Sequence, residues 1–425
     1  MASPRAPDAP PATEPATAPP PSPQALLRGQ HVLARKASLL YVSGLTVMST
    51  ATIAPSLPAI QAHFADAPHA AMLTRLVLTA PPLFIAICAT VAGAFSDRFG
   101  RRRLLLGSLL LYGVSGMSGL MLETLPGILL GRAILGVAVA GTMSTATALI
   151  GDYYTGAERN RFMGLQASFM AFGGLVLLTG GGLLAELHWR APFAAYGLAF
   201  VAIPVVLLYL FEPERSEHHS TTTRRTATPR RTWAAIALLL AAAVLNSMAF
   251  YINPTQLPYY LKALGIPAPA VAGLTLGTSA LVMGLVALRY SSVLGLLGLR
   301  WSFCLGFGLM SVGFALTAAA NGYWLVFVGM IFFGMGLGVT MPGLGTGAMM
   351  LAPPAVRGQV AGALTACVFL GQFLSPVMST PVAESAGIAT AFAVSSGLVA
   401  GLAVVAGMLA LLGQRIAPPR GPEAR

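Results

Sequence analysis

Twelve apolar runs set the limits on what this chain can fold into. They lie near residues 38–60, 73–95, 104–122, 126–150, 163–187 and 191–211, and again near 233–260, 268–288, 300–319, 322–350, 358–384 and 386–412. Most are about twenty residues or longer, enough to cross the ~30 Å hydrocarbon core of a bilayer as a helix. In lipid every backbone amide must bond within the protein, which leaves helices or a closed barrel. Runs of this length and apolarity read as helices. Only 9% of the 425 residues are charged and 56% are hydrophobic, where a soluble domain is roughly a quarter charged. A soluble enzyme is excluded on that ground.

The charges that remain are placed asymmetrically. The net charge is +12, which in a soluble protein would suggest a nucleic-acid partner. Here, of the 25 lysines and arginines, all but Arg75, Arg132, Arg190 and Lys262 fall in alternate segments on one side of the twelve runs. The positive-inside rule makes that side cytoplasmic, with both termini inside, and no nucleic-acid partner is needed. Residues 1–36 are rich in Pro, Ala and Thr and read as a disordered cytoplasmic tail. Residues 37–211 then form one six-helix bundle and 233–413 a second. The polar, arginine-bearing segment 212–232 is a cytoplasmic linker between them, and 414–425 a short tail. Cys88, Cys304 and Cys367 all sit in apolar runs, and the six histidines sit at helix ends or in loops. No metal spacing, disulfide framework or cofactor motif is present.

The two halves repeat at an offset of 198 residues. Gly131 and Gly136 fall on Gly329 and Gly334, Gly100 and Arg102 on Gly298 and Arg300, and Arg159 and Gly173 on Arg357 and Gly371. Pro55 and Pro58 in the first run meet Pro254 and Pro258 in the seventh at nearly the same offset. Parallel repeats of this kind place a substrate site between the halves near the bilayer midplane.

Between the second and third runs the chain reads Gly93-Ala94-Phe95-Ser96-Asp97-Arg98-Phe99-Gly100-Arg101-Arg102-Arg103. One acid and four arginines in a tight turn cannot sit in hydrocarbon, so this loop lies at a membrane face. It resembles the loop between the second and third helices of the major facilitator superfamily, G-x-L-x-D-R-x-G-R-R-x-x-L, departing only at Phe95. The resemblance implies the fold: all-α, integral to the membrane, twelve helices in two pseudo-repeated six-helix bundles. It also implies a conformational latch at Gly93, Asp97, Arg98, Gly100, Arg101 and Arg102, with the acid held against the second half.

Other residues bear on chemistry. Arg132 lies about six residues into the fourth run, roughly 9–10 Å below its outer end at 1.5 Å per residue. Arg132-x-x-x-Gly136 resembles a fourth-helix motif of proton-coupled members of the superfamily, which makes the pair candidates for proton coupling. An anion-binding arginine and a structural one bonded to helix carbonyls are the alternatives. In the fifth run Gly180-Gly181-Gly182 keeps the glycines of the superfamily's antiporter signature without its Gly-Pro, and glycines alone serve close helix approach. No acid lies at mid-depth in any run, which favours neutral or anionic cargo. Substrate-cavity candidates are Gln166, Asn246, Tyr251, Asn253, Gln256, Gln372 and Phe373, since amides in hydrocarbon require partners.

The resemblance implies a secondary transporter of the bacterial twelve-helix efflux type in the inner membrane, acting as a monomer. It would export a small organic molecule against protons by alternating access. The alternative is a proton-coupled uptake symporter for a sugar or organic anion. An intramembrane hydrolase is disfavoured because no His or acid at mid-depth could activate Ser or Cys, and no G-x-x-x-x-G-K-[ST] sequence is present to bind ATP.

Overall fold

A computed structural model describes residues 23–212 and 230–416. Among them there is no strand, and twelve helical stretches are long and apolar enough to cross a membrane. The first half comprises α1 (Pro23–Ala51), carried on by a 3-10 turn and a short helix to His63, then α2 (Ala70–Phe99), α3 (Arg101–Met117), α4 (Leu125–Tyr153), α5 (Gly156–Leu187) and α6 (Leu198–Tyr209), which is entered through two short turns. The second half comprises α7 (Arg230–Ala263), α8 (Pro269–Leu288), α9 (Tyr290–Ala318), α10 (Tyr323–Leu351), α11 (Arg357–Ala386) and α12 (Ile388–Ile416). All twelve expected spans are present.

Three boundaries differ from expectation. Residues 23–36 are helical rather than disordered. Pro23 sits at the first helical position, where its missing N–H costs nothing, and Gln24, Ala25, Leu26, Leu27 and Arg28 are strong helix formers. Helix α7 takes in Arg230 to Thr232 from the segment expected as linker, and α12 takes in 414–416 from the segment expected as tail. The rest of the linker (213–229) and of the tails (1–22, 417–425) lies outside the described residues.

The 198-residue repeat reappears in the packing. A Cβ on Gly136 would sit 2.6 Å from the Pro81 carbonyl oxygen of α2, and one on Gly334 would sit 2.5 Å from the Ser279 carbonyl oxygen of α8. Positions 81 and 279 are themselves 198 apart. Both contacts bring helix backbones closer than any side chain allows. Gly100 (φ 93°) ends α2, and its counterpart Gly298 (φ 72°) breaks α9. Arg102 donates to the Leu207 carbonyl of α6 (2.6 Å), and Arg300 to the Leu409 carbonyl of α12 (3.0 Å). Each arginine, two residues after its glycine, thus ties the third helix in its half to the sixth.

The halves meet along α5–α8 and α2–α11. On the first seam a Cβ on Gly182 would lie 2.5 Å from the Pro269 carbonyl oxygen, and one on Gly277 would lie 2.8 Å from Leu175. Two of the three fifth-helix glycines serve close approach: Gly181 backs onto Thr52 of the α1 extension and Gly182 onto α8, while a Cβ on Gly180 would meet nothing within 4 Å.

Candidate functional site

The site is built on helices that prolines have interrupted. Helix α1 stops at Ala51, four residues before Pro55, because a proline ring clashes with the carbonyl four residues back and supplies no N–H. Ser49 lies in that last turn, where carbonyls lack intrahelical donors. In α2, Pro81 likewise leaves the Val77 carbonyl without its i+4 donor. Arg132 supplies both. Its Nε donates to the Val77 oxygen (3.0 Å), and its Nη2 donates to the Ser49 oxygen. The Tyr196 hydroxyl donates to the same Ser49 oxygen (3.0 Å), and the guanidinium lies 5.0 Å from the Tyr196 ring. Arg132 is 1% exposed.

Of the three roles open to Arg132 from sequence, the carbonyl-bonded one accounts for Nε and Nη2, while Nη1 is buried without a partner among the described residues. Among the described residues no carboxylate contacts Arg132, and Gly136 serves the α2–α4 contact. The second half explains why its copy needs no arginine. Position 279 is serine, not proline, so α8 keeps its own backbone donor there, and position 330 is a buried methionine.

Most of the cavity candidates on α7 and α11 are buried. Asn246 and Asn253 stand two turns apart on one face of α7, and neither amide finds a partner among the described residues. The hydroxyls of Ser247, Ser375 and Thr380 share that condition. Tyr251 and Gln372 are also buried, and Phe373 is half-buried. Gln166 is separate from these: from α5 it donates to the Ser43 hydroxyl of α1 (2.8 Å).

Gln256 has a specific task. Its amide oxygen accepts from Arg75 Nε (3.3 Å) and Nη2 (3.2 Å), and its amide nitrogen donates to the Ser379 hydroxyl (3.0 Å). Arg75 is 4% exposed, donates to the Ala71 carbonyl (2.9 Å) and stacks 4.3 Å from the centre of the Tyr259 ring. One chain of contacts thus joins α2 of the first half to α7 and α11 of the second, at the end away from the arginine loop. Arg75 is not among the site residues expected from sequence. Its position near the outer end of the run at 73–95 makes it read as an outer-face charge, whereas α2 starts at Ala70 and carries Arg75 in its second turn.

At the arginine-loop end, the surroundings of Gly93 and of the Asp97 side chain lie outside the described residues. Arg98 is exposed, 5.6 Å from the centre of the Phe99 ring. Arg101 pairs with Asp152 of α4 and donates to the Ala148 carbonyl (2.9 Å), all within the first half. Glu212, which falls in the linker by sequence, caps α3. Its two carboxylate oxygens accept from the backbone N–H groups of Arg101 (2.6 Å) and Arg102 (2.9 Å). An anion there satisfies orphan donors and meets the positive end of the helix dipole. Glu212→Ala should lower stability by about 1 kcal/mol, read as a fall in the melting temperature of the purified protein that shrinks at high salt.

A family model described as Major Facilitator Superfamily matches residues 39–376 and 239–424. The tetracycline resistance protein, class C, of Escherichia coli is 26% identical over 358 residues, covering 81% of this chain and 89% of that protein. Multidrug resistance protein 1 of Bacillus subtilis (strain 168) is 32% identical over 135 residues, 32% of this chain and 35% of that protein. Among solved structures, a point mutant of the nucleoside transporter NupG superposes with a TM-score of 0.72 at 14% identity, covering 89% of this chain and 99% of that one. The twelve helices, their repeat in packing and the match along most of the sequence agree: this chain belongs to the major facilitator superfamily, a family of membrane transporters and not of enzymes.

Proposed function

We propose that the protein exports a small neutral or anionic organic molecule from the bacterial cytoplasm, driven by protons entering down their gradient. Units 37–211 and 233–413 rock about the α5–α8 and α2–α11 seams. Residues 212–232 tether them on the cytoplasmic side, where the arginine loop lies. Each monomer is a complete transporter in the inner membrane.

The carrying observation is the charge of the interior. Two arginines, Arg75 and Arg132, are buried, while every described carboxylate is exposed or half-buried near a helix end or in a loop. An interior with that balance disfavours cations. The unpartnered amides of Asn246 and Asn253 offer donors and acceptors to an uncharged polar cargo, since buried polar groups in native proteins are otherwise paired. Export as the direction is supported by the resistance protein aligned along most of the chain. Asp97 and its neighbours Gly93 and Arg98 are proposed as the latch of the arginine-loop end. The pair Arg101–Asp152 and the contacts of Arg102 hold that loop to α4 and α6.

The test is transport in proteoliposomes under an imposed pH gradient, with tetracycline and a panel of uncharged, anionic and cationic organic compounds. Gradient-dependent movement of uncharged or anionic members is expected, with loss on adding a protonophore. Selective movement of the cationic members, or indifference to the pH gradient, would refute the cargo class or the coupling respectively.

A further inference from the structure

A crevice of about 110 Å³ lies between α7, α11 and α12. No residue of the first half lines it, so it is distinct from the path between the halves. Its rim is apolar and faces outward: Met378 is 60% exposed and Leu398 is 64% exposed. On the flank of a membrane-spanning bundle such side chains face acyl chains, so the mouth opens into hydrocarbon. The inner wall is made by Ala249, Val399 and three serines, and no charged side chain lines any part of it.

The serines differ in one respect that points to a ligand. A serine inside a helix commonly returns its hydroxyl to the carbonyl four residues back, and Ser395 does so, to Ala391 (2.6 Å). Ser379 is engaged by Gln256 (3.0 Å). Ser375, 1% exposed, lines the crevice with a hydroxyl that has no partner among the described residues. A buried hydroxyl without a partner is costly, and a ligand group in the crevice would relieve that cost.

We infer that the crevice binds an uncharged, lipophilic small molecule carrying one hydroxyl or carbonyl group and reaching the site from the bilayer. Its polar group bonds to the Ser375 hydroxyl, and its apolar body lies between α11 and α12. The absence of charged lining residues selects against ions. The enclosed volume of about 110 Å³, below the ~300–1,000 Å³ usual for a site that buries a whole ligand, seats the polar end while the rest of the molecule extends along the open mouth. Ser379 stands one turn from Ser375 in the same wall and is joined through Gln256 to Arg75, so an occupant lies against the link that closes the far end of the seam. This site requires neither a particular direction of transport nor proton coupling.

The experiment uses the full chain in lipid nanodiscs and two photoactivatable probes: a twelve-carbon alcohol bearing a diazirine, and the matching alkane. Peptide mapping after irradiation should place the alcohol on α7, α11 and α12 around the crevice. That labelling should be saturable and competed by excess unlabelled dodecanol. Ser375→Ala should reduce the preference for alcohol over alkane by about 2–10-fold, the worth of one hydrogen bond. Leu398→Trp, at an exposed position on the rim, should block both probes without disturbing the fold. Unsaturable labelling spread over all the outward-facing helices would overturn the proposal, because it would mean ordinary lipid contact. Equal saturable labelling by both probes, unchanged in Ser375→Ala, would also overturn it, showing a groove for acyl chains.

Discussion

Replacing Arg132 by methionine, the residue at its counterpart position 330, should destabilise the protein by about 1–3 kcal/mol. The change leaves the Val77 carbonyl without a donor and the Ser49 carbonyl with the Tyr196 hydroxyl alone, and an unsatisfied buried group costs about 1–3 kcal/mol. Thermal unfolding of the purified protein reads the loss. A second substitution makes the cause specific. Pro81→Ala restores an N–H that can bond the Val77 oxygen from within α2, as the backbone at Ser279 is able to do in α8. The double variant should therefore be less destabilised than the two single changes added together, by about 1 kcal/mol or more. Strict additivity would show that Arg132 is not there to satisfy the proline-freed carbonyl. A well-folded Arg132→Met protein that keeps substrate exchange but loses its response to a pH gradient would restore the proton-coupling role.

The fold is legible in the sequence because lipid leaves the backbone few choices. A run of twenty apolar residues has one local solution, and the register of Gly100, Arg102, Gly136 and Gly334 with their partners carries the repeat into the packing. Much of the site is not legible in the same way. That Pro81 strips the Val77 carbonyl of its donor can be read locally. That a residue fifty-five positions later answers it requires α2 and α4 to be in contact. Arg75 reads as an outer-face charge because it falls two residues inside a run boundary, and the helix in fact begins earlier, at Ala70. Glu212 follows the last apolar residue of the first half, and nothing nearby in sequence announces that its carboxylate reaches the start of α3. The amides of α7 stand out as polar residues in an apolar run, yet Gln256 proves to bridge the halves while Asn246 and Asn253 remain unpaired.

The contact of Arg75 with Gln256 yields a prediction in two opposite directions. In the form described here the seam is pinned at that end by hydrogen bonds from a buried cation to a neutral amide. Alternating access requires this pin to break once in each cycle. Gln256→Leu removes the acceptor and leaves the guanidinium with the Ala71 carbonyl and the Tyr259 ring alone, so the closed state loses stability relative to the open one. Gln256→Glu instead supplies a carboxylate to a buried cation, and hydrogen bonds between charged groups contribute about twice what neutral ones do. Asn253, buried one turn from Gln256 on α7, reports the state of this end when replaced by cysteine in a protein whose Cys88, Cys304 and Cys367 are changed to serine. Gln256→Leu should raise its labelling by an impermeant maleimide at least severalfold, and Gln256→Glu should lower it below the parent. Transport turnover should fall in both, because one variant cannot hold the closed state and the other cannot leave it. Labelling that moves in the same direction in both variants would mean that Gln256 acts through local packing of α7 and not as the acceptor that closes the seam.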